Sequence, residues 1–405
     1  MLLSKHETVA GYVKLALGDQ HSIILLQDGS VWSTSITGRG VSKYYEQVIS
    51  CDVIAAAGGT AYTIVLKQDG SIWAMGRNSR GQLGDLSRIK KNTFSFVKRI
   101  PGAIAVAAGG AHSMIVTREG RVWASGWNKY GQIGGDGLMT AYTTTFFTAM
   151  FLGAQTAALG DIHSIVLKRD GSVWGTGGNS NGQLGDGSKA DRNSFVKLVS
   201  SGVVYVAAGG YHSMLIKVDR SVWATGWNEY GQLGDGSATD VIKYTKVLSR
   251  GAQVVAAGRR HSLMLKQDGS VWVTGHNLYG QLGDGSATNR YNFVKVISDG
   301  VKVVAAGAFH SMVAKHDASI WVTGSNKYGQ FGDGSTTSKK NFVRLAPFAN
   351  GEGHNYIHMH RSHLCNVVHF SSAVHSITGF ASTVATSPTT MAGMQATSGG
   401  GIWLA

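Results

Sequence analysis

Within residues 1–345, six histidines stand directly before a serine, at His21, His112, His163, His212, His261 and His310. A hydroxyl beside an imidazole is the raw material of nucleophilic catalysis, with the ring as the base. Adjacent residues of an extended strand point to opposite faces, however, so a consecutive His-Ser pair cannot close the hydrogen bond this chemistry needs. The expected role is packing and hydrogen bonding where repeated units meet, with no catalytic residue. Asp-Gly-Ser and Gly-Asp-Gly lack the alternating acids of a calcium loop and read as turns. Gly177-Gly178-Asn179-Ser180-Asn181-Gly182 has the glycines of a phosphate cradle but no helix to follow them. His354, His358, His360 and His363, with Cys365 nearby, are weak zinc candidates that match no ordered ligand spacing. Neither a metal nor a cofactor is expected.

A repeated step must be held by a repeated element. His163, His212, His261 and His310 fall 49 residues apart, and Tyr62-Thr63 stands as a degenerate second copy. Each copy runs through an apolar strand (Leu263-Met264-Leu265), an Asp268-Gly269-Ser270 turn and a strand ending Val271-Trp272-Val273-Thr274-Gly275. A long Asn277-Leu278-Tyr279-Gly280-Gln281-Leu282-Gly283 connection follows, then Phe293-Val294-Lys295-Val296 and Val303-Val304-Ala305-Ala306-Gly307. Four short strands per copy make a propeller blade, and 56 glycines against 3 prolines fit many tight turns. Strands like Phe-Val-Lys-Val occur seven times, as do strands like Val-Ala-Ala-Gly, but the two series are offset. The first Val-Ala-Ala-Gly copy, ending at Gly18, has no strand before it, and the last copy of the other strand, Phe342–Leu345, has none after it. The expectation is an all-β, seven-bladed β-propeller of four-stranded blades over residues 1–345. Its ring would be closed by Phe342–Leu345 pairing into the N-terminal blade beside Val13–Gly18, which removes exposed sheet edges. Trp32, Trp73, Trp123, Trp174, Trp223, Trp272 and Trp321 share one repeat position and read as inter-blade core.

The Ala-Gly-x-x-His-Ser, Gly-Ser-Val-Trp and Gly-Gln-Leu-Gly elements resemble the regulator of chromosome condensation repeat family over residues 9–345. The first copy departs from the pattern at Thr37-Gly38-Arg39-Gly40, and the third at Gly134-Gly135-Asp136. The resemblance implies a protein-interaction propeller that binds a protein partner through one loop face, without catalysis. It also implies an alternative, a guanine-nucleotide exchange factor for a Ran-type small GTPase, with chromatin or nucleic acid touched through basic loops. No blade carries the extra hairpin that an exchange wedge would use. Ultraviolet sensing, a third role found in related proteins, would need clustered Trp at the variable positions, and none holds one.

Those positions precede each His-Ser step and read Asp19-Gln20, Thr60-Ala61, Gly110-Ala111, Asp161-Ile162, Gly210-Tyr211, Arg259-Arg260 and Ala308-Phe309. Strand alternation puts them at the same end of the ring as the long loops. Tyr211, Arg259, Arg260 and Phe309, with Trp227, His276 and Asp19, are therefore the candidate partner-binding residues, aromatic and Arg side chains being the types enriched at hot spots. The net charge of +14 is expected on loops around Arg88, Lys91, Arg192, Arg290 and Lys339. Cys51 and Cys365 form no disulfide framework and are expected as free thiols. Residues 346–405, His-rich and then Ser/Thr/Gly-rich, read as a poorly ordered tail. Without an apolar run that could serve as a leader or span, the chain reads as a soluble cytoplasmic or nuclear monomer with no membrane partner.

Overall fold

A computed structural model describes residues 14–34, 42–135, 140–150 and 152–346 of the chain. These residues form 28 β-strands and no helix, arranged as seven four-stranded antiparallel sheets. The blades span 14–49, 53–99, 103–150, 154–199, 203–248, 252–297 and 301–344 in chain order. In blade six the strands are Ala252–Ala257, His261–Lys266, Val271–Gly275 and Arg290–Ile297, the first lining the axis and the last lying outermost. The second and third strands are buried almost throughout, which is why they read as continuous apolar runs. The fourth alternates between half-buried and exposed residues, as a strand with one wet face should.

The ring is seven-bladed as expected, but it does not close by exchanging a strand. The last strand, Lys339–Arg344, pairs within its own blade, Trp321 with Arg344 and Val322 with Val343, while Lys14–Leu17 pairs with Ser22–Leu25. The offset between the two strand series is a matter of where the repeat begins. Counted from Val-Ala-Ala-Gly, every copy supplies all four strands of one blade, so no strand is left over to swap.

Closure rests instead on the long loops. In each of blades two and four to seven, this loop leaves the third strand and reaches over the outer strand of the next blade. Asp284 bridges Asn341, and the Gly285 N–H donates to the Lys340 carbonyl at 2.9 Å. The seam between blades seven and one uses the same strap: Asp333 bridges Tyr44, and the Gly334 N–H donates to the Lys43 carbonyl at 2.8 Å. Beneath the straps, apolar clusters are shared by neighbouring blades. Leu263, Val273 and Leu282 of blade six pack with Val301, Val304 and Val313 of blade seven. At the seam Ile24 and Tyr45 meet Met312, Val322 and Phe331. Each such side chain contributes about 1.5–3 kcal/mol when fully buried, so the seam is held like any other interface.

The repeat tryptophans are only partly core. One side packs toward the neighbouring blade, as Trp272 does on the cluster around Met214 and Met264, and the indole N–H donates to its own turn serine, 3.0 Å from Trp272 to Ser270. Lys266 covers the ring at 3.9 Å. The state expected for Cys51 and Cys365 turns on Cys365, which lies outside the described residues. The tail after 346, with its four histidine zinc candidates, lies outside the described residues. Among those that are described, no group of His, Cys, Asp or Glu could hold a metal ion, and no helix is long and apolar enough to cross a membrane.

Candidate functional site

The His-Ser steps build a belt around the axis. Each imidazole reaches into the next blade: His112 Nε2 lies 2.9 Å from Ser164 Oγ, His163 2.8 Å from Ser213, His212 2.9 Å from Ser262 and His261 2.9 Å from Ser311. His310 reaches Ser22 at 2.9 Å across the seam, and His21 reaches Thr63 at 3.1 Å. Each of these serines donates its own proton to the carbonyl of a glutamine in the preceding blade, as Ser262 does to Gln232 at 2.8 Å. With that proton committed, the serine accepts from Nε2–H, and Nδ1 is left as the bare nitrogen. Nδ1 of all six rings is buried without a partner. Burial drives these histidines down to about 3, and His212 to about 4, so they are neutral. In blade two Tyr62 takes the place of histidine, donating to the His112 carbonyl and accepting from Ser113 at 3.1 Å. A serine whose proton is bound to a backbone carbonyl and whose imidazole is buried is no nucleophile. The belt is structural.

The turns that carry the variable residues sit directly above it. In blade five the buried Asn228 holds the long loop in shape, its Oδ1 accepting from Leu233 N–H at 3.0 Å and its Nδ2 donating to Asp235 at 3.0 Å. The Tyr230 N–H donates to Gln232 Oε1 at 3.0 Å, which fixes where the tyrosine ring stands. Backbone bonds tie loop to turn, Trp227 N–H to the Tyr211 carbonyl at 2.9 Å and His276 N–H to that of Arg260 at 2.9 Å. Variable turns and long loops therefore do share one end of the ring.

What they assemble there is a ladder of aromatic rings across blades five to seven, each edge-on to the next. Tyr211 meets Trp227 at 5.9 Å, Trp227 meets Tyr230 at 5.4 Å and Tyr230 meets His276 at 4.8 Å. His276 meets Phe309 at 6.2 Å, and Phe309 meets Tyr279 at 5.3 Å. Such edge contacts satisfy the ring quadrupoles, each contributing about 0.5–1.5 kcal/mol beyond burial. Arg260 stacks its guanidinium over Trp227 at 5.2 Å and Tyr230 at 5.3 Å. His276 accepts at Nδ1 from the Gln281 amide, 2.7 Å away, and burial and then Arg260 lower its pKa.

Arg259 turns the other way, to the axis. Its Nε lies 3.1 Å from Asp161 and its Nη1 3.9 Å from Asp19, so one guanidinium joins blades six, four and one over an axial cavity of about 180 Å³ lined by the repeat glycines. Desolvation, then repulsion from Asp161, pushes Asp19 up to about 7 against the opposing pull of Arg259.

Of the seven residues expected from sequence, five join the ladder: Tyr211, Arg260, Phe309, Trp227 and His276. Arg259 and Asp19 form the axial cluster instead. Tyr230, Tyr279 and Asp161 were missed. The first two sit in the Asn-x-Tyr-Gly-Gln loop that recurs in blades three, five, six and seven, so they read as scaffold. The basic loop field is also smaller than expected, since Lys91, Arg192 and Arg290 begin outer strands and pair with Asp85, Asp186 and Asp284 at 3.3, 2.5 and 2.7 Å.

A closed seven-bladed ring with repeated inner belts and one variable, aromatic face is a recognition propeller in architecture. The RCC1-like domain matches residues 41–346, and the chain belongs to that family. The fold is also that of human WBSCR16, with a TM-score of 0.70 and 23% identity over 78% of this chain and 93% of that one. Prp20p of Saccharomyces cerevisiae gives 0.69 and 19% over 85% and 90%. No curated protein sequence matches the chain.

Proposed function

We propose that the protein is a non-catalytic interaction propeller that holds a protein partner on the aromatic ladder of blades five to seven. The observation that carries this reading is the ladder's place: four of its six rings, Tyr211, Trp227, His276 and Phe309, stand at positions that vary from blade to blade, upon a belt that changes only in blade two. Rigid aromatic rings and a stacked arginine offer large contact area at little entropic cost. The test is replacement of Tyr211, Trp227 and Phe309 by alanine, with circular dichroism and the thermal midpoint confirming an intact ring, followed by partner capture. Loss of capture supports the reading; capture equal to that of the unaltered chain overturns it.

A second reading is nucleotide exchange on a Ran-type GTPase, favoured by the family and by the fold shared with Prp20p, whose binding to Gsp1p and histones has been described. Every described blade has four strands and no additional hairpin. Release of labelled GDP from such a GTPase, accelerated by the full chain, would support it. An unchanged release rate would reject it.

A further inference from the structure

Arg259 and Arg260 are consecutive, yet their surroundings differ in kind. Arg259 has two carboxylates across the axis, Asp161 and Asp19. Arg260 is half-buried and pairs with no carboxylate among the described residues; its Nη1 makes one long contact, 3.4 Å, to the Tyr230 hydroxyl, and its Nε is buried without a partner. A guanidinium lying over an indole has that apolar face covered and its Nη edge left to be filled, and such a planar edge matches a carboxylate in bidentate fashion. Beside it the ladder ends in an apolar shelf, with Leu278 61% exposed, Tyr279 42% exposed and Phe309 half-buried. Glu229, exposed in the blade-five loop between Trp227 and Tyr230, makes this a poor seat for the dense charge of a nucleic-acid backbone and leaves one localised cation as the anchor.

Resting on the proposed use of this face for protein binding, we infer that Arg260 is the anchor for an acidic segment of the partner. An Asp or Glu carboxylate of that segment pairs with the guanidinium edge, and a neighbouring large apolar side chain lies on Leu278, Tyr279 and Phe309. Charge complementarity supplies the carboxylate and the exposed rings supply the apolar neighbour. The apolar part gives area, and the Nη edge of the guanidinium, which meets only the Tyr230 hydroxyl at 3.4 Å, gives the pairing its specificity, since a ligand without an acceptor there leaves it unpaired.

The test selects a random dodecapeptide display library on the full chain, and in parallel on Arg260→Gln and on the Tyr211→Ala/Trp227→Ala/Phe309→Ala variant. The expected result is a set of peptides with Asp or Glu next to Phe, Leu or Trp, bound about tenfold or more weakly by Arg260→Gln, as befits one charge-assisted pair. Replacing the peptide's acid by its amide should weaken binding to the unaltered chain by a similar factor and leave binding to Arg260→Gln unchanged. Peptides without acidic enrichment, or acidic peptides indifferent to Arg260→Gln, overturn the inference. If the selected peptides are lost only on the aromatic variant, the carboxylate anchor fails while the binding face stands. If no peptide is selected, or none depends on either variant, both fail. A single-stranded oligonucleotide that displaces the peptides through Arg260 also counts against the inference.

Discussion

Acid should dismantle the ring through its histidine belt. Six imidazoles are held neutral in the fold, with pKa values of about 3 to 4, whereas an unfolded histidine titrates near 6.5. The folded values are depressed, so the unfolded chain binds more protons between the two limits. The stabilising effect is present above about pH 6.5 and is lost as pH falls toward the folded values. At about pH 5 nearly all six are protonated when unfolded and almost none when folded. Unfolding should then take up close to six protons, and stability should fall by about 8 kcal/mol per pH unit, at roughly 1.4 kcal/mol per proton. From about pH 7 to about pH 5 the accumulated loss is on the order of 10 kcal/mol, comparable to the whole stability of a typical domain. Urea unfolding followed by tryptophan fluorescence at a series of pH values measures the slope, and calorimetry in buffers of different ionisation enthalpy counts the protons. His163→Tyr, which copies the residue of blade two, should remove one proton from that count. A midpoint flat from pH 7 to 5, or an uptake of about one proton, would refute the idea that the belt is dry and neutral.

Asp19 acts in the opposite sense. Its folded pKa of about 7 lies above its ordinary value, so its stabilising contribution is complete in acid and is lost as pH rises through about 7. Asp19→Asn should steepen the rise of stability with pH between about pH 4 and 7 by about 1.4 kcal/mol per pH unit, read from the same unfolding curves; an unchanged slope would contradict this. Gly258→Ala should destabilise by about 3 kcal/mol or more in a thermal scan, because the new Cβ would lie 2.4 Å from His261 Cε1 and 2.5 Å from the Gly307 carbonyl oxygen. Tyr62→Phe strips a buried hydroxyl from the His112 carbonyl and Ser113 and should lower stability by about 1–3 kcal/mol, measured by urea unfolding at neutral pH.

The belt, the blade count and the end of the ring on which the variable turns lie were all legible in the sequence, because repetition converts one strand pattern into seven. His261 and Ser262 could be dismissed as a catalytic pair from strand geometry alone, and their partners proved to be Ser311 and Gln232 of the neighbouring blades. Repetition also misled. A repeat has no intrinsic starting point, so counting its strands could not say whether Phe342 pairs with its own blade or with the first. Pairing is decided by the chain's local return, which carries Lys339–Arg344 back beside Ile320–Gly324. Within the ladder, Tyr211 and Phe309 stand out because their position changes from blade to blade, while Tyr230 and Tyr279 are hidden by the same tyrosine recurring at 130 and 328. The split between Arg259 and Arg260 was not legible at all, since it depends on Asp161 and Asp19 lying across an axis that only the closed ring brings together.

If the aromatic ladder is the protein's working surface, paired capture experiments will show it. The full chain, the Tyr211→Ala/Trp227→Ala/Phe309→Ala variant and a control altered at the opposite end of the ring, Lys266→Gln/Lys295→Gln, should be compared for retention of partner proteins at equal folded concentration. The control should retain the same partners as the unaltered chain, and the ladder variant should lose them. Retention by the ladder variant with loss by the lysine control would place the working surface on the other face and contradict that expectation.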